Sequence, residues 1–169
     1  MESKLIIIRG NSASGKTTIS KSLQEQLGRG TLLVPQDTVR RDMLKVHDRM
    51  GNLSIDLIRQ IAEYGKGKCE FVIVEGILVK DLYGKMLNDL IQYYNERAYI
   101  YYFDLSFEET VKRHNTRLKK MKFGEDSLRA WWKPRDYLGA DGETSLTNDM
   151  SHDDIIKLIL DQLQGKSVG

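Results

Sequence analysis

Residues 5–17 read Leu5-Ile6-Ile7-Ile8-Arg9-Gly10-Asn11-Ser12-Ala13-Ser14-Gly15-Lys16-Thr17, and the fold is decided there. The unbroken apolar run Leu5–Ile8 is rich in β-branched residues and short, which reads as a strand buried on both faces, as in a parallel sheet. The run breaks at Gly10, and a polar turn with a second glycine leads into a helical pattern over about 15–28. Outward from this unit the alternation continues. Thr31-Leu32-Leu33-Val34, Phe71-Val72-Ile73-Val74 and Tyr99-Ile100-Tyr101-Tyr102-Phe103 read as further buried strands, with a short fifth near Thr144–Thr147. Helical patterns lie at about 38–49, 54–65, 81–96, 107–121 and 153–164. In the 54–65 pattern Ile55, Ile58, Ile61 and Ala62 recur at helical spacing, and Ser151 is placed to cap the last helix with Asp154 three residues on. Strands alternating with helices predict an α/β fold, a three-layer α/β/α sandwich around a parallel sheet with right-handed crossovers. Such sheets bind ligands at the carboxyl ends of their strands, so function is expected just after residues 8, 34, 74 and 103.

Composition agrees with one globular domain over 1–169. Hydrophobic residues make up 40 % and charged residues 30 %, enough apolar content for a core without staples. With 26 Lys and Arg against 24 Asp and Glu the net charge is +2, which excludes wholesale coating of nucleic acid as the main activity. Cys69 is the one cysteine, so no internal disulfide forms, and its spacing from His47, His114 and His152 fits no zinc site. The early apolar run is too short for a signal peptide or membrane span, and a cytoplasmic, non-membrane protein is expected.

The turn after the first strand fits G-x-x-x-x-G-K-[ST] in full, with the strand before and helix after that this phosphate-binding loop requires. A polyphosphate needs many donors close together. Gly10 and Gly15 let the backbone approach it without an obstructing Cβ, and the amides of Gly10, Asn11, Ser12, Ala13, Ser14, Gly15, Lys16, Thr17 and Thr18 are the expected nucleotide contacts. Lys16 adds a point charge toward the β- and γ-phosphates, and the Thr17 hydroxyl is placed to ligate Mg²⁺.

Three further segments carry candidate chemistry. Asp37 leaves the second strand on the ligand side, where a carboxylate serves as general base, acceptor ligand or helix N-cap. Arg40 follows three residues later, on nearly the same face of an α-helix, with a planar fork suited to an acceptor or phosphate. Glu75 ends the third apolar strand, where a buried acid is costly without a task; holding Mg²⁺ or orienting the acceptor are the tasks expected. Lys112–Lys122 holds six Lys and Arg, with Arg113 and Arg117 one helical turn apart. The choice there is between a solvated basic helix and a short lid over about 113–135 whose arginines meet the transferring phosphoryl group. Trp131 and Trp132 beside it read as core packing or as a platform for a base or sugar.

Together these residues resemble the small P-loop kinases that phosphorylate hydroxyl groups, over most of residues 5–120. Asp37-x-x-Arg40 after a strand is similar to the acceptor motif of polynucleotide 5′-kinases and of the zeta-toxin and chloramphenicol phosphotransferase branch, and Val74-Glu75-Gly76-Ile77 resembles uridine kinases. The resemblance implies a base or acceptor role for Asp37 and phosphate contacts for Arg113 and Arg117. Residues 121–150 match no family pattern.

The reading expected from all this is an ATP- and Mg²⁺-dependent phosphotransferase acting on a hydroxyl of a small molecule such as a nucleoside, sugar or antibiotic-like compound. Lys16, Asp37, Arg113 and Arg117 are its catalytic candidates. Asp37, Arg40 and Glu75 face the acceptor, and Thr17 and Glu75 face the metal. A polynucleotide 5′-hydroxyl kinase is the alternative, with nucleic acid a possible but less favoured partner. A nucleotide switch is disfavoured, because no N-K-x-D or T-K-x-D guanine-reading tetrapeptide is present.

Overall fold

The computed structural model describes residues 1–115 and 125–165. Five strands, β1 (Lys4–Gly10), β2 (Leu32–Pro35), β3 (Phe71–Gly76), β4 (Ala98–Phe103) and β5 (Thr144–Leu146), form one sheet in the order β2-β3-β1-β4-β5. Every pairing is parallel, with Ile8 opposite both Glu75 and Tyr101. The helices are α1 (Lys16–Leu27), α2 (Leu53–Gly65), α3 (Lys80–Tyr93), α4 (Phe107–Asn115), α5 (Glu125–Trp131) and α6 (His152–Leu163).

The alternation of side chains along β1 divides the interior. Leu5 and Ile7 face one layer with Ile58 and Ala62 of α2 and Leu87 and Leu90 of α3. Ile6 and Ile8 face the other, with Ile19 and Leu23 of α1 and Ile155, Ile156 and Ile159 of α6. Both faces of β1 are therefore apolar, which is why its sequence shows no polar alternation. Each fully buried Leu or Ile of this set contributes about 1.5–3 kcal/mol. The α/β/α sandwich and parallel sheet are as the sequence predicts.

The helices differ from expectation in two places. The stretch after β2 forms a short π-helix, Thr38–Leu44, in place of an α-helix to residue 49. It stops where Lys45 turns left-handed, at φ 54°. The polar stretch before Pro134 contains α5, which the sequence pattern did not reveal. At the start of α6 the expected cap is present in full: Ser151 Oγ accepts from the Asp154 amide at 3.1 Å, and the Asp154 carboxylate accepts from the Ser151 amide at 3.0 Å. No helix among the described residues is long and apolar enough to cross a membrane.

With β1 central and the chain passing first to β2 and back to β3 on one side, then to β4 on the other, the crevice of the sheet opens at the carboxyl end of β1.

Candidate active site

The turn at that crevice is built by backbone conformations that side chains resist. Gly10 has φ 155°, and a Cβ there would lie 2.8 Å from Phe103 Cβ on β4. Gly15 has φ 103° and opens α1, so the first amides of the helix point into the turn. Ala13 is left-handed at φ 63°, an uncommon state for a residue with a Cβ and one that clusters at ligand clamps. Lys16 is buried, and its ammonium donates to the Asn11 carbonyl at 2.8 Å and to Ser14 Oγ at 3.3 Å. The cation thus folds back across the mouth of the loop, in the space that a phosphate would share.

Asn11 and Ser14 tie this loop to its surroundings. The Asn11 side chain donates to the Lys133 carbonyl at 2.7 Å and accepts from the Lys133 amide at 2.9 Å. The Ser14 carbonyl accepts from Arg113 Nη1 at 2.6 Å, while Arg113 Nε donates to Glu109 at 3.0 Å. Arg113 therefore lies over the loop from the last turn of α4. Arg117, with the 116–124 part of the expected lid, lies outside the described residues. Ser12 is half-buried, and Thr17 and Thr18 are exposed at the head of α1.

Glu75 and Thr17 come together: the hydroxyl donates to Glu75 Oε1 at 3.2 Å. Glu75 is only 6 % exposed. Burial pushes its carboxyl above the usual range, and the negative charge of Asp37 adds to this; Lys16, the Thr17 hydrogen bond and Lys21 pull the other way. An oxygen pair beside a phosphate cradle suits a hard cation such as Mg²⁺, which keeps several waters and takes few protein ligands. Among the described residues no group of three or more His, Cys, Asp or Glu is set to hold a metal. A cation at Thr17 and Glu75 would accordingly rely on nucleotide oxygens and water.

Asp37 and Arg40 sit differently from what an α-helix implies. Asp37 already has helical dihedrals and its side chain makes no cap hydrogen bond, so the N-cap alternative drops out. Its carboxylate is 68 % exposed and meets Arg41 Nε at 3.8 Å. The wider turn of the π-helix puts the residue four positions on, not three, beside Asp37. Arg40 instead turns away to the Val46 carbonyl, with Nη1 donating at 3.0 Å, and closes the loop after the π-helix. The shared face expected for Asp37 and Arg40 is thus corrected to Asp37 and Arg41.

Two features were missed at the level of sequence. Arg9, fully buried at the end of β1, donates to the Leu78 carbonyl from Nε and Nη2 at 3.1 and 2.9 Å, and to the Asp136 carbonyl and carboxylate at 2.7 and 2.9 Å. A charged residue closing an apolar strand was the signal, since such a charge needs a buried partner. The second is a cavity of about 320 Å³ beside the loop, lined by Ser14, Thr18, Phe103, Arg113, Met150 and His152 among others. Only the Ser151–Asp154 cap hinted at order there, and nothing local places it against Thr18. Trp132 packs edge-on against Phe107, with ring centroids 5.6 Å apart, and Trp131 is exposed.

A parallel sheet of this order, with a glycine-bounded phosphate loop leading from its central strand into α1, defines the P-loop nucleotide-binding class. The family model described as AAA domain matches residues 5–132, and the chain belongs to that family, AAA_33. No curated protein matches its sequence. Several solved structures share the fold. The APS kinase of Mycobacterium tuberculosis, in complex with AMPPNP and APS, is 16 % identical over 96 % of this chain and 98 % of its own, with a TM-score of 0.68. A gluconokinase from Sinorhizobium meliloti 1021 is 15 % identical over 97 % and 93 %, with a TM-score of 0.66. Shikimate kinase from Acinetobacter baumannii, in complex with shikimate, is 20 % identical over 99 % and 96 %, with a TM-score of 0.60.

Proposed function

We propose that the protein transfers the γ-phosphoryl group of ATP to a hydroxyl group of a small molecule. The observation that carries this reading is the meeting of three strand ends in one crevice. The phosphate loop with Lys16 follows β1, the Thr17–Glu75 pair bridges to β3, and Asp37 stands two residues beyond Pro35, which pairs with Glu75 in the β2–β3 register. A switch needs only the first two; a carboxylate exposed at the second strand end is what an alcohol acceptor requires.

In this reading the loop amides and Lys16 hold the triphosphate and stabilise charge that develops on its oxygens. Mg²⁺ bound near Thr17 and Glu75 would neutralise phosphate charge. Asp37 orients the acceptor hydroxyl and takes its proton as the O–P bond forms, while ADP leaves in line. Arg113 holds the Ser14 carbonyl and, with Arg117, meets the phosphates from the lid over about 113–135. The cavity between Thr18, Arg113 and Met150–His152 has the size of a small ligand site and takes the nucleobase. Arg40 supports the acceptor side through the Val46 loop rather than by touching the acceptor beside Asp37.

A small acceptor suits the near-neutral charge of the chain. It also suits its fold relatives, among them a gluconokinase and a kinase bound to shikimate. The test is transfer from [γ-³²P]ATP, screened across nucleosides, sugars, aminoglycoside-like antibiotics and 5′-hydroxyl oligonucleotides. Label on a small alcohol supports the reading. Label only on oligonucleotides replaces the acceptor class, and none on any acceptor, with nucleotide bound, removes the transferase assignment.

A further inference from the structure

Leu78 is fully buried and left-handed, at φ 44°, in the turn that follows Glu75 and Gly76. A leucine resists this conformation, and such residues persist only where their surroundings over-determine them. Here the surroundings are two side chains. The Leu78 amide donates to Gln36 Oε1 at 2.9 Å, and the Leu78 carbonyl accepts both Arg9 bonds. Gln36 immediately precedes Asp37, Arg9 immediately precedes Gly10, and Leu78 lies three residues beyond Glu75. One strained residue therefore ties together the ends of β1, β2 and β3, each next to a different part of the proposed machinery.

Gln36 is the centre of this arrangement. It is buried, and Gly76 leaves room for it: a Cβ on Gly76 would lie 2.5 Å from Gln36 Cβ and would collide with Oε1. Its amide nitrogen makes a longer contact of 3.5 Å with Asp48, which also accepts from the Tyr83 hydroxyl at 2.6 Å. The side chain thus spans from the loop before α2 to the turn before α3, one residue before Asp37.

We propose that Gln36 is a positioning residue for phosphoryl transfer: by gripping Leu78 it fixes the placement of Asp37 relative to Glu75 without itself touching nucleotide or acceptor. The proposal rests on the phosphotransferase reading and deepens it. A group that only supports the fold would affect nucleotide binding and transfer alike, whereas Gln36 acts on the acceptor half alone.

Two variants break the grip from opposite sides. Gln36→Met removes the acceptor atom at similar volume. Gly76→Ala sets a Cβ against both Oε1 and Cβ of Gln36, so the end of β2 must shift with the side chain and the bond to Leu78 is lost; Gly76 is outside the left-handed region, so this contact is the whole of the strain. Three readouts are taken on the full chain: calorimetric affinity for Mg·AMPPNP, single-turnover release of phosphate from ATP with water as acceptor, and hydrogen exchange at the Leu78 amide. In both variants, affinity stays within about twofold of wild type. Phosphate release slows by about 10–100-fold. Leu78 exchanges at least about tenfold faster while the β1 amides keep their protection. Unchanged release, affinity that falls in step with release, or an unchanged Leu78 amide overturns the proposal. Failure of the underlying reading looks different: wild type itself would bind Mg·AMPPNP yet neither label any acceptor in the screen above nor release phosphate, and the proposal would fall with it.

Discussion

Replacing Glu75 with glutamine separates function from stability at this site. The carboxylate is almost fully buried, accepts one hydrogen bond from Thr17 and sits near the negative charge of Asp37. Burial holds its pKa above the ordinary value of 4.5, so the folded protein carries a penalty whenever Glu75 is ionised. For a carboxyl shifted upward the penalty is complete above the folded pKa. It fades as pH falls through that value and vanishes below the unfolded one. The Glu75→Gln side chain is neutral, keeps an oxygen for Thr17 and removes the penalty. Gains from relieving one such functional group are typically about 0.5–2 kcal/mol. For a chain of this size that is a rise of roughly 1–8 °C in melting temperature. Thermal denaturation without nucleotide at pH 7 and pH 4 should show Glu75→Gln above wild type at pH 7 and closer to it at pH 4. In the same variant Mg²⁺ should strengthen nucleotide binding less than in wild type. A variant less stable than wild type at pH 7 would refute the reasoning, because Glu75 would then be a structural anchor and not a strained functional group.

Three further substitutions probe the remaining parts. Lys16→Met removes the charge in the mouth of the loop; losing charge-assisted bonds of about 1.5–3 kcal/mol should weaken Mg·AMPPNP roughly 10–150-fold by calorimetry. Asp37→Asn should lower kcat by about 10²–10⁴-fold while nucleotide affinity and melting temperature stay near wild type, since the exposed carboxylate makes a long surface pair with Arg41. Gly10→Ala combines a disallowed φ with a Cβ pressed on Phe103, and urea denaturation should show a loss of about 2–5 kcal/mol together with loss of nucleotide binding.

What was legible in the sequence was what depends on local pattern. Leu5–Ile8 announced a strand buried on both faces because both its faces meet helices. Glycine spacing announced the loop because Gly10 and Gly15 need conformations other residues avoid. The Ser151–Asp154 cap could be read because both partners lie within one turn. What stayed hidden depends on tertiary context. No propensity rule distinguishes a π-helix from an α-helix over Thr38–Leu44, so Arg40 was set beside Asp37 where Arg41 stands. Leu78 is left-handed because side chains far along the chain hold its amide and carbonyl, not because of its own chemistry. The grip of Arg9 on Asp136 spans 127 positions, and only the oddity of an arginine closing an apolar strand pointed toward it.

The account turns on the loop after β1 holding a triphosphate. Isothermal titration of the wild-type chain with Mg·AMPPNP, paired with crystals soaked in the same ligand, tests this most directly. The account predicts one nucleotide per chain, with its phosphates against the amides of residues 10–17 and Lys16 beside them. Absence of heat, with the loop empty in the soaked crystals, would contradict it.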